Sequence, residues 1–432
     1  MCYTPRMAKL RTTLISPKYH KLITDWQKRH FPELGYLEKH WLEYYPKQSE
    51  FRLQSIIGKL RSDQISIGRY AGHEYFEEAN EMGGNMFFSA QGIIKAQCST
   101  ELGSVQQHRM SVDQAIDDNM KFGILRIMAE ELRHAYQMFW VLEHDSTWKR
   151  LGMGDVADTM IQELLNMRTG GHVLDAFNME MQNFLDNTMF ATVIDLVGKY
   201  QLDMQSVFAY APMARSMDPM LKEEAFHIGH GRKSVRTIAV MGADGKGNFS
   251  VQDVQQHLNK WLPRGLEMFG NEEGGSTNVE FGFKSKTNGQ AQAEYHEEVQ
   301  GWVRDWNCAM IQQVYRKGTE YEDAKEISER IRVTRDSHKG IRPEMLIFAP
   351  DRKFFRKRGL EDFVFKPFDA TGELLTGEGG MPVGSDRYVD YLKTVLPKTY
   401  FKDPEWEKYR RQLEDYHAAG GTGDVAGASY SG

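Results

Sequence analysis

Two short motifs in this chain can each present a carboxylate and an imidazole to a single point: Glu131-Leu132-Arg133-His134 and Glu224-Ala225-Phe226-His227. Residues three apart share a face of an α-helix, so each motif offers an oxygen and a nitrogen ligand side by side. The spacing alone means little. With 14 histidines and 60 acidic residues in 432 positions, chance supplies about two acidic-x-x-His matches. A third match, Glu414-Asp415-Tyr416-His417, sits in a charged stretch beside a polar tail and is read as that chance event.

Three features set the first two motifs apart. Ile124, Ile127, Met128, Ala135, Met138 and Leu142 share a helical stripe with Glu131 and His134, and Met217, Leu221 and Ile228 do so for Glu224 and His227. Acids on an apolar stripe are buried, and a buried charge persists only when paired or bound to metal. Glu101 lies 30 residues before Glu131, and Asp195 lies 29 before Glu224. Two helices joined by a short loop bring residues at such spacings to one level. Finally, Glu130 and Glu223 directly precede the motif glutamates. A metal-bound histidine donates its second N–H to a carboxylate, so Glu130 is expected to serve His227, and Glu223 to serve His134.

The expected ligand set is therefore Glu101, Glu131, His134, Asp195, Glu224 and His227. One acid from each of two helices and a Glu-x-x-His from each of two others is the set of ferritin-like di-metal bundles. Four carboxylates and two histidines are too oxygen-rich for structural zinc and suit two iron ions, with a mixed manganese–iron pair left open. The competing reading is a metal-free bundle with buried ion pairs; four buried acids at matched spacings count against it. A carboxylate-bridged ferrous pair delivers two electrons to O2, which makes O2 the expected co-substrate.

The elements that must position these residues are helices. The expected fold is mainly α: a ferritin-like four-helix di-iron bundle with extra helices and a small irregular, β-containing C-terminal region. Between about residues 50 and 240, Leu, Met, Ala, Glu, Gln and Lys dominate, and apolar residues recur at steps of three and four. Pro212 and Pro219 suit first turns of helices. Ser111-Val112-Asp113-Gln114 has the form of a capping box. Gly83-Gly84, Gly152 with Gly154, and Gly170-Gly171 suit turns. After residue 243 come two turn-rich loops, a helical pattern over about 290–318, and the strand-like pieces IRVTRD, EMLIFA and DFVFKPFDATGELL. The expected division is a helical extension over 1–80, the bundle over 81–242, an α+β extension over 243–418 and a disordered tail over 419–432.

A net charge of −6 argues against a nucleic-acid or anionic-membrane partner. The first twenty residues lack a signal peptide's apolar run, no stretch approaches 18 uninterrupted apolar residues, and three cysteines cannot build a disulfide framework. A cytoplasmic setting follows as the expectation, and a homodimer is left open. Of the Met and Phe residues near the motifs, Phe87, Met138 and Phe190 are candidates to face an apolar or aromatic substrate, with core packing as the plainer role. Arg352 and Arg356, in a basic run at 352–358, are candidates to meet an anionic substrate or partner, with a solvated surface as the alternative. Thr192, one turn before Asp195, is a candidate to relay protons to bound O2, with packing its plainer role.

The sequence resembles the oxygenase components of aerobic aromatic-acyl-CoA epoxidases, most nearly the benzoyl-CoA branch and more distantly the phenylacetyl-CoA one. The resemblance spans about residues 85–360. It rests on AQCSTELGSVQQHR around Glu101, EELRHAYQMFWVL around Glu131, MFATVIDLVGKYQL around Asp195, APMARSMDPMLKEEAFH around Glu224, and LPRGLEMFG. Asp at 195 agrees with the benzoyl-CoA branch. The resemblance implies that Glu101, Glu131, His134, Asp195, Glu224 and His227 bind iron and that Gln97 lies near the metals. It also implies an acyl-CoA substrate, an epoxide product, and electrons from NADPH through a separate flavin and iron–sulfur reductase.

Three alternatives are weighed. One is a di-iron oxidase or oxygenase acting on a different apolar substrate. A radical-storing reductase subunit would need a tyrosine one turn beyond the first motif histidine, where this chain has Met138, with Tyr136 two residues beyond His134 instead. Iron-storage and rubrerythrin-like proteins are shorter or carry CxxC pairs, which are absent here.

Overall fold

The computed structural model describes residues 11–149, 155–168, 171–271 and 274–350. Four long helices form the centre. Helix α3 (Gly84–Arg109) is followed by α4 (Asp118–Glu143), and α6 (Phe184–Gln205) by α7 (Ala211–Ala243). Around them lie α1 (Pro17–His30), α2 (Leu34–Tyr44), α5 (Val156–Asn166), α8 (Val251–Met268), α9 (Ser276–Glu280), α10 (Asn288–Met310) and α11 (Tyr321–Thr334). The fold is a ferritin-like helical bundle, and no helix among the described residues is long and apolar enough to cross a membrane.

Close packing fixes the pairing of the central helices. Gly198 lies against Glu224, while Ala191, seven residues earlier, lies against Gly231, seven residues later. A constant sum of positions means that α6 and α7 run antiparallel. A Cβ on Gly231 would sit 2.6 Å from the Ala191 carbonyl carbon, so only glycine permits this approach. The same rule links α4 and α7, where Glu130 meets His227 and His134 meets Glu223.

Helix ends follow local chemistry. Asp117 starts α4 by accepting from the Met120 N–H at 2.8 Å, and Asn183 starts α6 by accepting from Asp186. Pro212 occupies the first turn of α7, as expected, but Pro219 lies inside it. Proline lacks the N–H that would bond the Arg215 carbonyl one turn back. The Gly58 N–H donates to that carbonyl instead, at 2.9 Å, and a Cβ on Gly58 would stand 2.6 Å from the same oxygen. A loop beside α7 thereby repairs the break.

Several expectations need correction. Residues 46–83 hold no α-helix; they carry strand β2 (Ser55–Ile57), which pairs antiparallel with β1 (Arg11–Thr13), then glycine turns. At Gly68, φ is 78° and a Cβ would meet the Glu280 carbonyl, which a helical residue could not do. Ser111 caps only a one-turn 3₁₀ segment, because its hydroxyl accepts from Asn187 and faces Met181 instead. Helix α8 was not expected; its N-terminus is a Ser250–Asp253 capping box.

IRVTRD begins with the last turn of α11, where Ala324, Ile327 and Ile331 are buried at helical spacing and override the β-branched composition. EMLIFA starts inside a 3₁₀ turn, Pro343–Met345. The Ile347 and Phe348 backbone groups that follow are paired by side-chain amides rather than by a strand. Asn307 exchanges bonds of 2.9 and 2.8 Å with Ile347, and Gln255 exchanges two of 2.7 Å with Phe348. Among the described residues no strand follows β2. DFVFKPFDATGELL, Gly152, Gly154, Gly170 and the expected tail lie outside the described residues.

Candidate metal centre

Glu101 on α3, Glu131 and His134 on α4, Asp195 on α6, and Glu224 and His227 on α7 converge in the middle of the bundle. All six are between 0 and 5% exposed. Their ligand atoms fall into two overlapping groups, Glu101, Glu131, His134 and Glu224, and Glu131, Asp195 and His227, each within 4.8 Å. Glu131 sends Oε2 to within 3.7 Å of His134 Nδ1 and Oε1 to within 3.5 Å of His227 Nδ1. Glu224 does the same in reverse, with Oε1 3.7 Å from His134 and Oε2 3.3 Å from His227. Each of these carboxylates thus has one oxygen on either side. Glu101 completes the His134 side at 3.4 Å, and Asp195 joins the His227 side.

The donor atoms are poised for something that accepts lone pairs. His134 Nδ1, His227 Nδ1, Asp195 Oδ2 and Glu224 Oε2 are buried with no hydrogen-bond partner. Orphaned buried polar atoms are rare and costly. The opposite ring nitrogens are held: His134 Nε2 lies 3.0 Å from Glu223 Oε2, and His227 Nε2 3.1 Å from Glu130 Oε2. A carboxylate at Nε2 fixes the proton there and leaves Nδ1 as the free ligand. The four central carboxylates would carry four negative charges, which two divalent cations cancel. The residues fit a pair of hard or borderline divalent ions.

Protonation in the metal-free cluster reflects the same crowding. Burial, followed by the adjacent Glu101 charge, pushes Glu131 well above the usual carboxylate range. Burial and then Glu224 push Asp195 up. Burial opposes ionisation of Glu101 too, but Glu131, His134 and Gln97 outweigh it and hold its carboxyl low. Both imidazoles are raised well above their ordinary value against the effect of burial, His134 chiefly by Glu101 and His227 chiefly by Glu224.

The surrounding side chains add parts that the sequence did not disclose. Arg126 donates from Nε to Glu130 Oε1 at 3.0 Å and lies 3.6 Å over the Phe226 ring. Arg133 pairs with Glu223 and lies 4.7 Å over Phe51. Each outer acid is therefore held between an arginine and the histidine of the opposite motif. Arg126 was findable, being four residues before Glu130; the aromatic rings beneath the arginines were not. Gly198 was also missed: a Cβ there would press to 3.3 Å from Glu224 Oε1.

Other singled-out residues fall variously. Gln97 donates to Glu101 Oε1 at 2.5 Å. Met138 is completely buried one turn beyond His134. Phe190 is buried edge-on against His108, Phe177 and Trp261. Phe87 packs on Trp148; fourteen residues before Glu101, it stands about 21 Å along the helix axis from it. The Thr192 hydroxyl donates to the Thr188 carbonyl at 2.6 Å, as packing threonines do. Tyr136 points away from the cluster, bonded to the Ile15 N–H and His20. Arg352, Arg356 and the Glu414–His417 motif lie outside the described residues.

A family model described as phenylacetic acid catabolic protein matches residues 114–342. Glu131, His134, Asp195, Glu224 and His227 fall inside the match, while Gln97 and Glu101 precede it. A curated relative, benzoyl-CoA oxygenase component B of Aromatoleum evansii, is 26% identical over 237 residues, which are 51% of this chain and 49% of the relative. The likeness therefore covers about half of each chain.

Proposed function

The chain belongs to the phenylacetic acid catabolic protein family, and on that premise we propose that it is a di-iron oxygenase component acting on an aromatic acyl-CoA thioester. The observation that carries this reading is the pair of orphaned Nδ1 atoms facing four buried carboxylates. The name of the relative supports the substrate class and the need for a partner. Insertion of one oxygen atom into an aromatic ring, with the other leaving as water, consumes two electrons and two protons. We assign electron supply to a separate NADPH-dependent reductase.

When bound, a ferrous pair would supply the electrons with which O2 is activated. The chain's own residues then have distinct tasks. Glu131 and Glu224, with one oxygen toward each histidine, would be shared between the two sides of the pair. Glu101 with His134, and Asp195 with His227, would hold one ion each. Glu130 and Glu223 keep a proton on each Nε2, so that both imidazoles stay neutral donors at Nδ1. Met138 and the rest of the buried stripe of α4 exclude bulk water, which would keep oxidising chemistry away from solvent.

The test is direct. The purified chain is reconstituted with ferrous iron and assayed for iron content and for NADPH-dependent O2 uptake, with a suitable reductase and benzoyl-CoA, phenylacetyl-CoA or the free acids. Two irons per chain and uptake stimulated by a thioester are expected. Fewer than one iron per chain removes the metal centre, and iron without thioester-stimulated uptake removes the substrate.

A further inference from the structure

The described surface holds a cavity of about 640 Å³ lined by Arg29, His30, Gln106, Arg109, Leu165, Asn166, Met167 and Arg168. It lies where α1, α3 and α5 end, outside the four-helix centre. Gln106 and Arg109 follow Glu101 on α3 by five and eight residues, about 8 and 12 Å along the axis. Its volume falls in the range that accommodates a nucleotide-sized ligand.

The charged side chains of the lining are all cationic, while the Asn166 and Gln106 amides already point an N–H at the Gln162 carbonyl and at His30 Nδ1. Three guanidiniums, two amides and one imidazole line the space, and no carboxylate does. Glu33 is the counterion of Arg109. Among the described residues neither Arg29 nor Arg168 has an acid within ion-pair distance. Burial, and then the neighbouring Arg29 charge, hold His30 below its ordinary value, so it adds a neutral imidazole rather than a fourth charge. Basic residues do gather at helix C-termini to offset the helix dipole, and that accounts for each arginine singly. It does not account for three arginines, from the ends of two helices and from just past a third, gathering at one nucleotide-sized space. Forked guanidiniums from several directions are the usual means of recognising phosphate oxygens.

We propose that this cavity binds a phosphate-bearing ligand of nucleotide or diphosphate type through Arg29, Arg109 and Arg168. Two sources carry that chemistry: the nucleotide end of an acyl-CoA, which rests on the function proposed above, and a free nucleotide or polyphosphate, which does not.

Titration calorimetry of the full chain with CoA, ADP and pyrophosphate tests this. Binding is expected in wild type, and at least tenfold weaker binding in the Arg29→Gln/Arg168→Gln and Arg109→Gln variants, with iron content retained. CoA bound well above ADP and pyrophosphate identifies the thioester as the source; equal binding identifies a free nucleotide or diphosphate. No binding in wild type overturns the proposal. So does unchanged affinity in variants that merely melt earlier, the result expected of helix-capping arginines. Should the variants fail to fold, mass spectrometry of phenylglyoxal-treated wild type decides, with ligand expected to protect Arg29, Arg109 and Arg168 and absence of protection overturning the site. CoA binding without thioester-stimulated O2 uptake would leave this site standing while the function proposed above fails.

Discussion

Glu130 and Glu223 show how much of the candidate metal site lies beyond its six central residues. Each accepts from one histidine and one arginine, and each arginine rests on an aromatic ring. An imidazole whose outer nitrogen loses its acceptor is free to rotate and to change tautomer, which costs metal affinity even though every ligand remains. Glu130→Ala and Glu223→Ala are each expected to weaken binding of ferrous or cobaltous ion by about 10- to 100-fold, read by metal titration; unchanged affinity in both would refute the role. A different buried acid contributes to acid stability. Asp186 accepts from Lys260 Nζ at 2.7 Å and from Trp261 Nε1 at 2.9 Å. Burial alone would raise its carboxyl, but Lys260 and then His257 outweigh burial and hold it below its ordinary 3.8. A folded-state value below the unfolded one stabilises the protein above the unfolded value, and that stability is lost as pH falls through the lower one. Asp186→Asn should therefore flatten the acid limb of stability below about pH 4. It should also cost about 3 kcal/mol at neutral pH by stranding Lys260. Urea unfolding at several pH values measures both, and an acid limb as steep as in wild type would rule out Asp186.

At the scale of elements, the α6–α7 pair sets the tolerance of the site. Gly198→Ala places a methyl 3.3 Å from Glu224 Oε1, and Gly198→Val adds bulk that cannot be accommodated by a few tenths of an ångström. Metal occupancy should fall in the order wild type, Ala, Val while helicity by circular dichroism is kept. Equal occupancy in all three would show that the Glu224 carboxylate moves freely. Outside the bundle, Asn307→Ala removes both bonds that fix the Ile347 backbone, and a loss of about 1–3 kcal/mol is expected on chemical denaturation. These two cases mark where the sequence was readable. The long helices were legible because Ile124, Ile127, Met128, Met138 and Leu142 repeat at helical spacing, and the clustering of Glu101 and Asp195 with the motifs followed from loop length and helix rise. EMLIFA read as a strand because composition cannot tell whether an extended segment meets another strand or two side-chain amides. Pro219 read as a helix start because its repair comes from Gly58, about 160 residues away in sequence. The arginine–ring contacts and the Gly198 approach are tertiary facts with no local signal.

For the whole molecule, the charge at the centre is the controlling quantity. Four buried carboxylates meet in the bundle core, and without cations some must hold protons: Glu131 and Asp195 are pushed up while Glu101 stays low. Protonation relieves repulsion but leaves His134 Nδ1 and His227 Nδ1 without a hydrogen-bond partner. Cations relieve both at once. On the function proposed above they would bind the folded chain, where six donors from four helices converge, and not the unfolded chain, where those donors span residues 101 to 227. Binding to the native state alone raises stability by about 4 kcal/mol per site at a free-ion concentration a thousand times the dissociation constant. Metal loading is thus expected to raise the unfolding temperature and chelation to lower it. The gain should be smaller in Asp195→Asn, which replaces an anionic oxygen with a neutral one. Scanning calorimetry with and without chelator checks the prediction. Identical unfolding curves would mean that the bundle is held by packing alone and that its buried acids rest on their protons rather than on a metal.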